Sequence, residues 1–146
     1  MKKAIFAGSF DPFTTGHKNI IDRALDSVAD ELTVVIGTNN AKKCMFTLDE
    51  RVAAIEKVYR DNPRVRVARW GGLINDYAAE HGIDFLVRGV RSVKDFEYER
   101  DMAEINRMLT GIETVLLFSD PQYASVSSSV VRELISFNKN VEQFLP

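Results

Sequence analysis

Residues 8–17, with the sequence GSFDPFTTGH, are the first stretch of the chain whose side chains could do chemistry. Two glycines, a proline, three hydroxyl side chains and a histidine follow directly on the apolar run KKAIFA, whereas a simple turn needs only about two to five residues. A helix that begins near Gly16 and His17 would present unpaired backbone N–H groups and a partial positive charge. Ser9 and His17 are therefore candidates for binding an anion.

A second donor-rich segment is the serine run of residues 127–129, which precedes an apolar helical pattern. Loops between the two segments carry the cations Lys42, Arg88 and Arg91. Two donor-rich helix starts on one rim would suit a polyphosphate. Each feature alone has a structural explanation, because serines cap helices, a histidine at a helix start is commonly a surface residue, and Lys42 with Lys43 could form a solvated pair. The prediction depends on their convergence at one edge.

Several common catalytic patterns are missing from the sequence. There is no G-x-x-x-x-G-K-[ST] loop of a P-loop ATPase, and no G-x-G-x-x-G follows the first apolar run, which disfavours a dinucleotide-dependent dehydrogenase. Neither His17 nor His81 has a metal-ligand partner at helical spacing, and GSFDP lacks the G-x-S-x-G nucleophile elbow. The only cysteine, Cys44, excludes an internal disulfide and a cysteine-based zinc site.

The composition is that of a single globular domain spanning residues 1–146. A net charge of −2, from 19 basic and 21 acidic residues, argues against a broad nucleic-acid surface. No apolar stretch approaches the ~18 residues of a membrane span. Asp11 and Pro12 interrupt the first apolar run, so we interpret it as a strand rather than a signal peptide and expect a cytoplasmic protein.

The candidate residues must be positioned by alternating strands and helices. Apolar or β-branched runs predict five strands, at residues 3–8, 32–38, 65–70, 84–89 and 114–120. Apolar residues recur at helical spacing between them, and in the fourth helix these are Phe96, Met102, Ile105 and Leu109. Thr47 begins a capping box, and Gly82 is a candidate helix stop. This order predicts an α/β fold with a Rossmann-like, doubly wound sheet of about five parallel strands and helices on both faces, in which ligands bind outside the carboxyl ends of the strands.

Four segments together resemble known signatures. GSFDPFTTGH is similar to the G-[TS]-F-D-P-x-[TH]-x-G-H signature of the nucleotidyltransferase superfamily, and SVSSSVVR to its I-S-S-[TS]-x-[IV]-R signature. KKCMFTLDERV and FLVRGVRSVKDFEYE narrow the resemblance to the phosphopantetheine adenylyltransferase family of bacterial coenzyme A synthesis. The motifs occur in the family's order over nearly the whole chain. Ser9 stands where threonine is commoner, Thr14 where some branches have histidine, and Val126 replaces isoleucine. Family members typically continue past the final FLP with a further short helix.

The resemblance implies a direct in-line transfer of the adenylyl group of ATP to 4′-phosphopantetheine, which gives dephospho-coenzyme A and pyrophosphate without a covalent enzyme intermediate. The nucleophile is a phosphate monoester whose second pKa is roughly 6, so it needs no protein base. Positioning and electrostatics would supply most of the catalysis. The resemblance also implies Mg²⁺ bridging the phosphates with few or no protein ligands, a homo-oligomer that is a hexamer, and feedback inhibition by coenzyme A.

The resemblance also assigns residues. The catalytic residues that it implies are His17, Lys42, Arg88 and Arg91. The acceptor would be bound by Ser9, Lys42, Arg88 and, through its backbone, Ile74. ATP would be bound by Ser9, Phe10, His17, Gly89, Val90, Arg91, Glu99, Tyr123, Ala124, Ser125, Val126, Ser127, Ser128 and Ser129. Within this set His17 would stabilise the transition state at the α-phosphate, and Arg91 with the serine donors would bind the β- and γ-phosphates. Glu99 could instead simply face Arg88 or Arg91.

Three other functions compete with this prediction. A sibling enzyme could transfer an adenylyl or cytidylyl group to nicotinamide mononucleotide or glycerol 3-phosphate, although RGVRSVKDFEYE favours the pantetheine branch. A non-catalytic nucleotide sensor would be favoured if the His or Arg positions were lost, and they are present. An RNA-binding module could use Arg60, Arg64, Arg66 and Arg69. The last three have mixed spacing across a predicted strand and no clear aromatic stacking platform, so they are interpreted as a solvated edge.

Overall fold

The computed structural model of the chain describes residues 1–39 and 43–146. Its strands are β1 (Lys3–Gly8), β2 (Glu31–Gly37), β3 (Val65–Trp70), β4 (Phe85–Val90) and β5 (Glu113–Phe118). Its helices are α1 (Thr15–Ser27), α2 (Leu48–Tyr59), α3 (Ile74–Glu80), α4 (Val93–Thr110) and α5 (Ser128–Ser136), with short 3₁₀ turns at Pro121–Tyr123 and Glu142–Phe144. The five predicted strands are confirmed. The largest boundary difference is at β5, which ends at Phe118 because Ser119 and Asp120 lead into the turn that Pro121 begins.

The five strands form one parallel sheet in the order β3-β2-β1-β4-β5, which confirms the predicted doubly wound α/β fold. Alternate residues of each strand face opposite layers of helices. Phe6 and Val87 pack with α1 and α2 in one buried cluster, and Ile5 and Leu86 pack with Tyr77 of α3 in another. Each strand therefore sends consecutive side chains to different sides of the sheet.

Strands β1 and β4 are paired only over their first halves. The ladder joins Ala4 with Phe85 and Ile5 with Leu86, and beyond these residues the two strands separate. The strand order also reverses between β1 and β4, and in sheets of this type ligands bind at such a position. The separation opens a gap at the carboxyl ends of the two strands.

Helix termini follow local sequence signals. Thr47 caps α2 in a capping box with Glu50, as predicted, and Ser127 caps α5. Gly82 follows the end of α3 with a φ of +63°, a left-handed conformation that glycine adopts without steric cost.

Helix α4 confirms the predicted fourth helix, but most of the apolar residues that marked it do not form a buried face. Met102, Ile105 and Leu109 lie at helical spacing, but they are exposed, and Leu109 is 58% accessible. The helical spacing was correct, whereas burial would require a surface that this chain does not provide. Among the described residues, no helix is both long and apolar enough to cross a membrane.

Candidate active site

A cleft of about 310 Å³ lies where β1 and β4 separate. The N-termini of α1 and α5 border it, and a helix N-terminus leaves its first backbone N–H groups without intrahelical partners. The predicted site residues that line it are Ser9, Phe10, His17, Arg88, Gly89, Arg91, Glu99, Val126, Ser127, Ser128 and Ser129. The structure therefore brings together segments that are more than a hundred residues apart in sequence.

His17 is held by the helix start from which it projects. Thr14 is the N-cap of α1, and its side-chain oxygen accepts a hydrogen bond from the His17 backbone N–H. In return the Thr14 backbone N–H donates to Nδ1 of His17 over 3.0 Å. The imidazole thus takes the place of the Glu or Gln in a capping box. Because Nδ1 accepts a hydrogen bond, a neutral His17 carries its proton on Nε2.

The surroundings of His17 favour the neutral ring. Burial, together with the positive charges of Arg91 and Arg88, lowers the pKa of His17 to about 4, and burial is the largest cause. The ring stacks on Phe13 and meets the edge of Phe10, whose ring centre is 5.0 Å away. His17 is therefore a neutral hydrogen-bond donor at neutral pH, and the ring of Phe10 forms its support.

Arg88 is fixed by two partners on different elements. Its Nε and Nη2 donate to the two carboxylate oxygens of Glu99 on α4, each over 2.8 Å, and its Nη1 donates to the carbonyl of Ala7 over 2.6 Å. The last bond bridges the gap between β4 and β1. Glu99 is 6% exposed, so this two-pronged ion pair is largely shielded from solvent on the carboxylate side. Glu99 was considered either as a nucleotide-binding residue or as a partner of Arg88 or Arg91. The structure shows the pairing with Arg88, and a contact with nucleotide stays a prediction.

Gly89 lets α1 approach the sheet beside Arg88. A Cβ at this position would lie 3.0 Å from Cγ1 of Ile20, so a larger residue would push α1 outward. Alternation along β4 sends Arg88 towards α4 and leaves Gly89 under α1. Arg88 thus places a cation on one side of the sheet, and Gly89 allows α1 to pack closely on the other side.

The remaining polar groups of the cleft are partly committed to the fold. Arg91 forms an ion pair with Asp95, whose carboxylate oxygen is 3.2 Å from Nε. The Ser127 hydroxyl caps α5, Ser128 donates to the carbonyl of Pro12, and Ser129 accepts from Arg132. The serine side chains therefore have structural partners. The backbone N–H groups at the start of α5 are the donors that a bound anion would find.

A second cavity of about 200 Å³ adjoins the cleft. Both are lined by Ala7, Arg88 and Glu99. The rest of the second cavity is mainly apolar, and its lining includes Ile74, Leu86, Met102, Ala103, Asn106 and Thr114. The Thr114 hydroxyl is buried, and it has no hydrogen-bond partner among the described residues. The Arg88–Glu99 pair therefore separates a polar cleft from an apolar cavity.

Other predicted site residues are not in the cleft lining. Lys42 lies outside the described residues. Val90 is buried, with its carbonyl bonded to the Ser119 N–H. Tyr123, Ala124 and Ser125 lie on the connection between β5 and α5, and Ile74 lines the second cavity instead. Their contacts with substrate stay predictions.

Two of the four arginines considered for RNA binding, Arg64 and Arg69, have partners within the fold. Arg64 donates to three backbone carbonyls, those of Leu25, Ala29 and Asp30, and Arg69 pairs with Asp49. These contacts agree with their interpretation as a surface edge.

The cleft residues that sequence reasoning missed include Thr14, Asp95 and Arg132. Arg132 and Asp95 line it, and Thr14 fixes the histidine ring. Arg132 is the final residue of the second signature, so the motif contained the signal. Thr14 lies three residues before His17, which is the spacing of a capping box. The motif is not recognised from the sequence because its last position is normally Glu or Gln, not His.

Comparisons with known proteins agree with this geometry. The Cytidylyltransferase-like family matches residues 5–134. The chain is 49% identical over 146 residues to a protein of Bacteroides thetaiotaomicron named phosphopantetheine adenylyltransferase, and 50% identical over 146 residues to one of that name from Phocaeicola vulgatus. Each alignment covers 100% of this chain and 96% of the relative. A relative of the same name from Corynebacterium diphtheriae is 44% identical over 147 residues, with 100% of this chain and 92% of the relative covered.

Proposed function

This chain belongs to the phosphopantetheine adenylyltransferase family, and we propose that it transfers the adenylyl group of ATP to 4′-phosphopantetheine. The products would be dephospho-coenzyme A and pyrophosphate, as in the penultimate step of coenzyme A synthesis. A cytoplasmic location stays a prediction.

The observation that carries the proposal is the pair of cavities joined at Arg88. The polar cleft, between two helix N-termini, fits a triphosphate. The apolar cavity fits an arm of methylenes, methyl groups and amides, and the unpartnered Thr114 hydroxyl could bond to an amide. Arg88 stands at the junction, where the phosphate of the acceptor must meet the α-phosphate of ATP. We assign the acceptor phosphate to Arg88 and Ser9 on this basis, and to Lys42 from the family resemblance alone.

The chemistry requires little proton transfer from the protein. The acceptor phosphate, with a second pKa near 6, is largely dianionic at neutral pH and attacks without a general base. The obstacle is the approach of two polyanions, which oriented donors and cations reduce. His17 would donate its Nε2 proton in a hydrogen bond to an α-phosphate oxygen, where negative charge is redistributed in the transition state. Arg91 and the N–H groups of α5 would bind the phosphates that leave as pyrophosphate.

Magnesium would enter with the nucleotide. In the described ranges, residues 1–39 and 43–146, no group of three or more His, Cys, Asp or Glu side chains could hold a metal ion. The two carboxylates that line the cleft, Asp95 and Glu99, are each paired with an arginine. We therefore propose that Mg²⁺ is held mainly by phosphate oxygens and water, as its reluctance to dehydrate favours. Bound there, it would neutralise phosphate charge.

We also propose a homo-oligomer, with a hexamer as the expected form. The support is the exposed apolar surface of α4, which includes Tyr98, Met102, Ile105, Met108 and Leu109. Several large exposed apolar side chains on one helix are typical of a protein–protein interface. Coenzyme A would inhibit by competition, because it contains both a nucleotide part and a pantetheine arm and so could occupy both cavities.

The test is pyrophosphate release with one acceptor at a time. Mg-ATP would be supplied with 4′-phosphopantetheine or nicotinamide mononucleotide, and CTP with glycerol 3-phosphate. Turnover with 4′-phosphopantetheine alone is the expected result. Turnover with another acceptor would retain the assignment of His17 but contradict those of Lys42, Arg88 and Ile74. Nucleotide binding without any turnover would favour a sensor.

A further inference from the structure

We propose that Asp11 and Arg51 are positioning residues, which fasten the segment that follows Lys42 to the turn that carries Ser9 and thereby set the site of the acceptor phosphate. The inference rests on the proposed function, because the two segments carry residues assigned to that phosphate. Neither Asp11 nor Arg51 lines the cleft.

Asp11 binds the segment through both of its carboxylate oxygens. Oδ2 accepts from the Met45 backbone N–H over 2.9 Å, and Oδ1 accepts from the Phe46 backbone N–H over 2.8 Å. The residue is 4% exposed, so water competes little for these bonds. Two charge-assisted bonds to consecutive N–H groups fix the direction of the segment as well as its distance.

Arg51 closes the connection from α2. Its Nη1 donates to the carbonyl of Ser9 over 2.8 Å, and its Nε donates to the carbonyl of Phe46 over 3.2 Å. One guanidinium therefore bridges the Ser9 turn and the same segment that Asp11 binds. We call the contacts of Asp11 and Arg51 with these backbone groups the clamp.

The partners of Arg51 point to a role beyond stability. Its side chain belongs to a residue that is only 7% exposed, and within the described part of the chain no carboxylate lies within 4.0 Å of its nitrogens. Burying a cation on carbonyl oxygens alone is a costly way to join two segments. Because Arg51 and the buried carboxylate of Asp11 hold the same segment, the clamp brings opposite charges together and acts by geometry rather than by a net positive potential.

The clamp is tied to the opposite side of the cleft as well. Arg132 of α5 donates to the carbonyl of Asp11 over 2.8 Å, and Ser128 donates to the carbonyl of Pro12 over 2.7 Å. The turn at Asp11 is thus held between the nucleotide side and the acceptor side. Lys42 precedes Met45 by three residues in the sequence and lies outside the described residues.

The first experiment measures the KM for each of the two substrates in the Arg51→Lys variant. This variant keeps the positive charge but loses the guanidinium that donates to two carbonyls. We expect the KM for 4′-phosphopantetheine to rise about tenfold, as for a modest misplacement of a binding group, and the KM for ATP to change less than about twofold. Arg64→Lys is the matched control, because Arg64 also donates to backbone carbonyls, those of Leu25, Ala29 and Asp30, away from the cleft. It should leave both KM values unchanged.

A double-mutant cycle with Lys42→Ala then separates positioning from general stability. If the clamp acts by placing Lys42, adding Arg51→Lys to Lys42→Ala should change the acceptor KM by less than about twofold, since the interaction is already lost. Calorimetric titration with 4′-phosphopantetheine provides the same comparison without turnover. Asp11→Asn, which keeps one acceptor oxygen, is the second variant should Arg51→Lys fail to fold.

Three outcomes would overturn the inference: an unchanged acceptor KM in the folded Arg51 variant, an equal rise in both KM values, or a full effect that persists in the Lys42→Ala background. Failure of the proposed function is recognised separately, because the wild-type protein would then neither bind nor turn over 4′-phosphopantetheine.

Discussion

The protonation of His17 gives the most exact test of the site geometry. Burial lowers the pKa of this histidine to about 4, with Arg91 and Arg88 as further causes. The hydrogen bond from the Thr14 N–H to Nδ1 acts in the same direction, because a proton on Nδ1 would face another N–H and break the helix cap. Lowering the pH from 7.5 to 5.0 should therefore leave the ring neutral in the folded protein but charge it in the unfolded chain.

The sign and size of the stability change follow from linkage. Between pH 6.5 and about pH 4 the unfolded state binds a proton that the native state excludes, so the free energy of unfolding falls as the pH is lowered. With those two pKa values, His17 alone should cost about 2 kcal/mol of stability between pH 7.5 and 5.0. The loss should reach about 3 kcal/mol below pH 4, where both states are protonated.

Urea unfolding at pH 7.5 and 5.0 measures this loss in the wild type and in His17→Gln. Glutamine is the matched variant, because its side-chain oxygen can accept from Thr14 in a capping box but does not titrate. The wild type should lose about 2 kcal/mol more than the variant over this pH range. The chain has only two histidines, so an NMR titration with His81→Gln as the assignment control gives the pKa of His17 directly.

A His17 titration midpoint near 6.5, or an equal pH dependence of stability in wild type and variant, would refute the reasoning. Either result would mean that the ring titrates as in the unfolded chain, so burial and the bond from Thr14 would not be what keeps it neutral. A kcat that falls above pH 6.5 with the pKa of an ordinary histidine would point the same way, towards a general acid.

The remaining predictions address the other parts of the site. His17→Ala should lower kcat by about 10²-fold with the fold intact by circular dichroism, and near-normal turnover would remove His17 from the mechanism. Lys42→Ala should weaken acceptor binding and leave ATP binding largely unchanged. The opposite pattern by calorimetry would mean that the two substrate sites are assigned the wrong way round. Glu99→Gln should raise the acceptor KM and lower stability by about 1–3 kcal/mol, since Arg88 loses its charged partner, and unchanged values by kinetics and urea unfolding would contradict the junction role. Met108→Lys should dissociate an α4-mediated oligomer in sedimentation velocity, whereas an unchanged sedimentation coefficient would place the interface elsewhere.

Much of the fold follows from the sequence because its signals are local. Each strand is a short apolar run, and each is bounded by turn residues such as those around Asp120 and Pro121. The helix starts at Thr47 and Ser127 are coded by hydroxyl side chains within three residues of the groups that they cap. The strand-then-helix order limits the sheet to a parallel arrangement, and this alone directs the candidate loops to one edge.

The same local signals identify a helix but do not report whether its apolar face is buried. The spacing of Met102, Ile105 and Leu109 identified a helix correctly, but periodicity reports only that one face is apolar. It does not report whether that face is covered within the chain, and here it is exposed.

The contacts that position the site residues depend on the tertiary structure. Arg88 meets Ala7 across 81 residues, Arg51 meets Ser9 across 42, and Ser128 meets Pro12 across 116. No periodicity encodes such pairs, because they depend on the order of strands in the sheet and on where β1 and β4 separate. The sequence by itself determined which residue types reach the carboxyl edge of the sheet. Only the folded chain decided which of them touch, since a hydrogen bond needs its two atoms within about 3 Å and that distance is set by packing from distant elements.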